Sequence, residues 1–216
     1  MKEIQSGIAE VAGALLWRHE AIRVNLEEPF RLASGDLAPI YINCRLMISF
    51  PAARDLLTGF AHFLCAEKGI ECDAVAGGET AGIPFGAWLA DRLNKPFLYV
   101  RKQAKGYGVK TRLEGLARGR VLLVEDLITD GGSKRGFIEA IREEGASVGD
   151  CLTVVDREQG GAAQLAEFGV ALHSIVTVAT CLQIGRRNGL ISQAEGEEVE
   201  RYLRDPKGWS AGRAEC

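Results

Sequence analysis

The sequence predicts an α/β protein: a parallel sheet covered by helices on both faces, with a small β-rich annex ahead of it. Three observations lead there. After Pro51, apolar runs of strand length alternate with segments of helical periodicity, as successive strand–helix units do. The run VLLV at 121–124 is apolar without alternation, which suits a strand buried on both sides. Ahead of Pro51 the extended runs are short and divided by Glu-Pro and Ser-Gly-Asp, a pattern of brief strands joined by turns. With 216 residues, 47% of them hydrophobic, the chain suffices for one α/β domain with small additions.

The elements follow in order. Residues 3–18 place Ile4, Ile8, Val11, Leu15 and Leu16 on one helical face. Residues 22–50 carry the extended runs IRVNL, FRLAS and IYINC. Then come a helix at 52–68, a strand at 73–76, a helix at 82–93, and strands at 97–101 and 120–125. A helix at 132–144, a strand at 147–155, a helix at 161–168 and a strand at 170–176 complete the alternation. Residues 102–119 interrupt it; with Gly106, Gly108, Gly115 and Gly119 and little that packs, they read as a functional or disordered loop. The last dozen residues, DPKGWSAGRAEC, read as a polar tail. The organisation expected is a helix and hood at 1–50, an α/β core at 51–190, and a C-terminal helix and tail at 191–216.

Composition removes several function classes. A net charge of −3 leaves no broad basic face for nucleic acid, so a phosphate ligand must be met by a local patch. No apolar stretch approaches the ~20 residues that cross a bilayer. The start, MKEIQSGIAE, has an early acid and no apolar signal core, so a cytoplasmic location is expected. The six cysteines, at 44, 65, 72, 151, 181 and 216, form no C-x-x-C and read as free thiols in a reducing compartment. His19, His62 and His173 lie far apart and show no metal-ligand spacing.

The informative stretch is VLLVEDLITDGGS, Val121 to Ser133. Ligands of parallel sheets gather at the carboxyl ends of the strands, where Glu125 and Asp126 are expected to emerge. Two adjacent carboxylates repel each other unless a cation or hydroxyl groups meet them. Residues 129–133 then lead into a helix near Lys134, and the glycines let successive N–H groups curl toward one spot. A phosphate fits that cup. The helix dipole contributes only ~0.3–1 kcal/mol when exposed, so N–H groups and the hydroxyls of Thr129 and Ser133 supply most of the grip. An ordinary capped strand-to-helix turn would give the same two acids. A P-loop would need G-x-x-x-x-G-K-[ST] and a dinucleotide fold G-x-G-x-x-G; neither occurs. The chain after Asp126 is too short for a receiver domain.

Glu125 through Ser133 resembles the phosphoribosyl-pyrophosphate (PRPP) signature of type I phosphoribosyltransferases. The resemblance implies that family's parallel sheet flanked by helices, with a β-rich hood and a PRPP-binding core at 51–190. It implies that Glu125 and Asp126 face the ribose hydroxyls, and that Thr129, Asp130, Gly131, Gly132 and Ser133 hold the 5′-phosphate. The segment RKQAKGYGVKTR, 101–112, has five Lys/Arg and no acid, and alone would read as a solvated charge run. Beside a PRPP motif it reads as a mobile basic loop that closes over the departing pyrophosphate.

That loop resembles R-K-x-x-K-x-[HY]-G of the orotate phosphoribosyltransferase family, with Arg101, Lys102, Lys105 and Tyr107 in its positions. Ser34, Gly35, Pro39, Tyr41 and Arg45, within FRLASGDLAPIYINCRLMISFP, fit the family's N-terminal element. Arg157 in VVDREQGG fits its D-R-x-x-G, whose arginine meets the orotate carboxylate; Thr129 and Tyr41 are expected on the same side. GGETAGIPFG resembles the pyrophosphate loop and brings in Glu79 and Thr80. The resemblance implies transfer of phosphoribose from PRPP to orotate, with Lys105 and Asp126 as catalytic groups. It implies Mg2+ held through PRPP and water rather than by a protein cage, and a homodimer with shared active sites; neither nucleic acid nor membrane is expected as a partner. A transferase for another base, or a regulator that senses PRPP without chemistry, would keep the same cup. The chain departs from the family at Ala33 and Ala81, where many members carry lysine, and at Asp36-Leu37, which replaces a frequently basic pair.

Overall fold

The computed structural model describes residues 2–32, 34–104 and 111–214. The chain opens with helix α1 (Lys2–Arg18). Two small hairpins follow. β1 (Ile22–Val24) pairs antiparallel with a later strand, while β2 (Phe30–Arg31) pairs with β3 (Leu37–Ala38). β1's partner is β4 (Ile40–Ile42), and a 3-10 helix at Cys44–Ser49 leads into the core. These hairpins are the expected β-rich annex.

The core runs α2 (Pro51–Lys68), β5 (Ala74–Gly78), α3 (Gly82–Leu93), β6 (Phe97–Val100), β7 (Leu113–Glu114), β8 (Arg120–Ile128) and α4 (Gly132–Glu143). It continues through β9 (Ser147–Asp156), α5 (Gly161–Glu167), β10 (Ala171–Thr177) and α6 (Val178–Arg187), and α7 (Gln193–Arg204) and α8 (Pro206–Ala214) close the chain. Six strands form one sheet in the order β10-β9-β8-β5-β6-β7, parallel throughout except for β7. Alternate residues of β8 serve two cores. Leu122 and Val124 join Leu16 of α1, Leu57 of α2 and Leu89 of α3. Val121 and Leu123 join Ile138 and Ile141 of α4 and Leu165 of α5. The helices therefore cover both faces, as the alternation of elements predicts.

Four differences have physical causes. β8 runs on to Ile128 because β9 keeps pace with it, pairing Ile128 with Asp156, so Glu125 and Asp126 lie inside the strand instead of beyond it. β7 is too short to carry a periodic signal, yet it pairs Leu113 with Val100 and closes the base of the basic segment. α6 follows β10 without a loop, started by the Thr177 side chain accepting from the Thr180 N–H, so its apolar residues merge with the strand's in the sequence. The last dozen residues are not a tail. Pro206–Ala214 form α8, held by burial of Trp209 and Ser210, whose spacing is too brief to read as amphipathic.

Candidate active site

The carboxyl ends of β5, β8 and β9 lie side by side, and the expected site residues follow from them. β5 ends on Gly78 and turns through Glu79–Ala81 into α3, with a cis peptide between Glu79 and Thr80. Glycine is required here by close approach. A Cβ on Gly78 would fall 1.6 Å from Glu125 Oε1, and one on Gly82 would fall 2.3 Å from the Val124 carbonyl oxygen. The turn thus rests directly on β8. Its Glu79 reaches the basic segment, accepting from the Lys102 N–H at 2.7 Å.

That segment is fastened at both ends. The Arg101 N–H donates to the Arg112 carbonyl at 2.8 Å. The Arg112 side chain donates back to the Arg101 carbonyl at 3.0 Å and to the Gly136 carbonyl of α4 at 2.9 Å. Arg101 also lies 3.6 Å from Glu114. Lys105 and Tyr107, expected within this segment, lie outside the described residues.

The two acids of β8 are separated by the pleat. Glu125 shares the α4 face with Val121 and Leu123 and is 4% exposed. Lys134 Nζ donates to its Oε2 at 2.9 Å, and its Oε1 has no hydrogen-bond partner among the described residues. Burial pushes the Glu125 carboxyl up to about 7, against the opposing charge of Lys134. Glu125, expected to face ribose hydroxyls beside its neighbour, is therefore placed against Lys134 under α4; adjacent strand residues cannot share a face. Asp126 takes the other face and is half-buried. Burial raises its carboxyl as well, while Lys134 and Arg45 oppose the shift. Of the two acids, Asp126 is the more open to a ligand.

Between β8 and α4 the chain forms the expected cup. Gly131 sits in the left-handed region at φ 86°, and no side-chain cap closes the start of α4. Asp130 Oδ1 accepts from the Gly132 N–H at 3.0 Å and from the Thr129 hydroxyl at 3.4 Å. Asp130, expected to hold phosphate, thus shapes the turn, and its negative charge competes with an anion for the Gly132 N–H. β9 braces this edge: the Arg157 N–H donates to the Ile128 carbonyl and the Gly161 N–H to the Thr129 carbonyl, both at 3.0 Å. Ser133 opens the first turn of α4 beside the cup.

Beyond the cup opens a cleft of about 1010 Å3, lined by Leu32, Asp36, Thr129, Asp130, Arg157 and Tyr202 among others. Arg157 is 8% exposed, and its Nε has no hydrogen-bond partner among the described residues. Its Nη2 lies 3.5 Å from the Tyr202 hydroxyl. Among the described residues no carboxylate forms a salt bridge with it. A buried guanidinium without a counter-ion is costly, so this is a place for an anion. Tyr41, expected on the same side, does not line this cleft; its hydroxyl accepts from Arg45 at 3.3 Å.

Sequence reasoning missed Lys134 and Tyr202. Lys134 carried a signal, since a cation in the first turn of a helix opposes the dipole and needs a specific partner. Tyr202 carried none that tied it to Arg157, because its partner lies 45 residues away in the chain.

Comparison with known proteins agrees with this geometry. The family model of the phosphoribosyl transferase domain matches residues 49–168, which sets the class. A protein of Ruegeria sp. (strain TM1040) named orotate phosphoribosyltransferase is 45% identical over 208 residues, covering 94% of this chain and 92% of that protein. One of the same name from Dinoroseobacter shibae is 46% identical over 211 residues, covering 95% and 93%. The chain belongs to the orotate phosphoribosyltransferase family. Among solved structures, orotate phosphoribosyltransferase from Aeropyrum pernix matches with a TM-score of 0.72 at 33% identity, covering 83% of this chain and 99% of that one. Leishmania donovani UMP synthase matches with a TM-score of 0.79 at 26% identity; there this chain covers 42% of the larger protein. No helix among the described residues is long and apolar enough to cross a membrane.

Proposed function

We propose that this chain transfers the 5-phosphoribosyl group from PRPP to orotate, releasing pyrophosphate and orotidine 5′-monophosphate in pyrimidine synthesis. The names of its relatives support that reaction. The observation that carries the choice of base is Arg157, a buried guanidinium without a carboxylate partner in a cleft that also holds Thr129. A planar carboxylate suits its fork of donors. Uracil, which lacks that group, would leave the cation unpaired, which gives a physical basis for discrimination.

The remaining residues take roles that follow from their places. The α4 cup, with Thr129, Gly131, Gly132 and Ser133, receives the 5′-phosphate. Asp126 meets the ribose, and the Glu79–Thr80 turn meets the pyrophosphate. As C1 becomes oxocarbenium-like, its bond to the leaving oxygen breaks while the bond to orotate N1 forms on the opposite face, and the N1 proton passes to water or to the departing pyrophosphate. Negative charge grows on the pyrophosphate, and the basic segment with Arg101, Lys102, Lys105 and Tyr107 answers it. Mg2+ keeps several waters and is held by one or two carboxylates plus substrate phosphates, and the half-buried Asp126 would be such a donor. Bound there, Mg2+ would neutralise part of the leaving-group charge. We further propose a cytoplasmic homodimer in which the basic segment completes its partner's site.

Pyrophosphate release measured with PRPP, Mg2+ and either orotate or uracil tests the reading; equal rates with both bases would refute the choice of orotate. Arg157→Ala is expected to raise the orotate KM ~10–100-fold, the worth of one or two hydrogen bonds to a charged group. The KM for PRPP should stay close to wild type. An unchanged orotate KM would assign the carboxylate to another residue.

A further inference from the structure

We propose that Tyr202 is a positioning residue of the base subsite, aiming the Arg157 guanidinium into the cleft before the substrate arrives. The inference rests on the reading that Arg157 meets the substrate carboxylate. The Arg157 guanidinium carbon lies 5.8 Å from the centre of the Tyr202 ring, within cation–π range, and the hydroxyl contact at 3.5 Å is long. No carboxylate among the described residues fixes the cation. An arginine side chain has many rotamers, and each one not aimed at the substrate lowers the fraction of protein ready to bind. A fixed aromatic face removes that cost in advance.

Tyr202 can do this because it is itself held. It is 2% exposed and meets Trp209 edge-on, with ring centres 5.5 Å apart at 80°. Trp209 Nε1 donates to Glu198 at 2.7 Å. Arg213 stacks over Trp209 at 4.9 Å and donates to the Leu26 carbonyl at 2.8 Å. The Leu37 N–H donates to the Ser210 hydroxyl at 2.9 Å. Helices α7 and α8 are thereby fastened to the hood, whose Leu32 and Asp36 line the same cleft. The C-terminal helices and the hood form one rigid wall, and Tyr202 is where that wall touches the cation.

Steady-state kinetics of the full chain test this with Tyr202→Leu, Tyr202→Phe, Arg157→Ala and the double variant Arg157→Ala/Tyr202→Leu. Tyr202→Leu keeps an apolar side chain and should raise the orotate KM roughly tenfold, the range of a desolvated cation–π contact. Its PRPP KM and kcat should stay within about twofold of wild type, a split that general loosening of the fold would not produce. Tyr202→Phe keeps the ring and should restore orotate KM to within about threefold. In the Arg157→Ala background Tyr202→Leu should add nothing, because the two act as one unit. An orotate KM unmoved by Tyr202→Leu while Arg157→Ala raises it would overturn the inference and leave the assignment of Arg157 standing. Additive effects, or orotate and PRPP KM rising together, would also overturn it. An Arg157→Ala variant with unchanged orotate KM would overturn both readings. Should Tyr202→Leu not fold, Tyr202→Phe decides: a tenfold rise there would place the effect on the hydroxyl and refute the aromatic face.

Discussion

Lys105→Ala is expected to lower kcat ~10²–10³-fold, the loss seen when one donor to a developing oxyanion is removed. The fold and orotate binding should survive. On the proposed reading the pyrophosphate leaves with growing negative charge beside a turn that is poor in cations, since Glu79 is acidic and Ala81 is apolar. The Glu79 carboxylate is already occupied by the Lys102 N–H, which fixes the root of the basic segment next to that turn. Arg112 fastens the other root to Arg101 and to Gly136 of α4. Because the charge Lys105 meets is largest in the transition state, kcat should fall more than KM rises. Thermal melting establishes that the variant is folded. A kcat within twofold of wild type would remove Lys105 from the mechanism.

The features legible in the sequence were those that a local pattern specifies. VLLV before two acids gave a strand buried on both faces, and the alternation after Pro51 gave a parallel sheet with helices on both sides. The Thr-Asp-Gly-Gly-Ser run predicted a glycine turn into a helix, and the structure has Gly131 at positive φ leading into α4. Arg157 was legible through the likeness of DREQG to the family's D-R-x-x-G, and the structure places it on the lining of the large cleft. What escaped depends on contacts between distant segments. Trp209 sits in a short polar stretch, and its contacts with Tyr202 and Glu198, far from it in the strand–helix pattern, hold that stretch in place. The two acids of β8 look like a pair on paper, but their faces were decided by how far β9 extends the ladder. Tyr41 was assigned to the base by its motif, whereas Arg45 engages its hydroxyl outside the cleft.

Lys134→Met should cost roughly 1 kcal/mol more stability at pH 8 than at pH 5, because without its cation the buried Glu125 carboxyl must take up a proton above its wild-type value of about 7. The Glu125–Lys134 contact is 2.9 Å long with both side chains nearly excluded from water, so neither charge has a ready substitute. The loss should shrink at pH 5. Burial raises the Glu125 carboxyl from 4.5 to about 7, so its contribution to stability is fully present below 4.5 and lost as pH rises through about 7. Removing Lys134 takes away a charge that lowers this value, so the folded-state carboxyl rises further and the penalty extends upward in pH. At pH 5 Glu125 is neutral in both proteins, and replacing a buried ammonium by a thioether then costs little. Urea unfolding at the two pH values measures the difference. The double variant Lys134→Met/Glu125→Gln should be more stable at pH 8 than Lys134→Met, since no lone charge remains. The same pair joins the start of α4 to β8, directly beneath Gly78 and beside the cup, so its loss should also raise the KM for PRPP. An equal loss of stability at pH 5 and pH 8 would show that the contact acts as packing rather than as an ion pair.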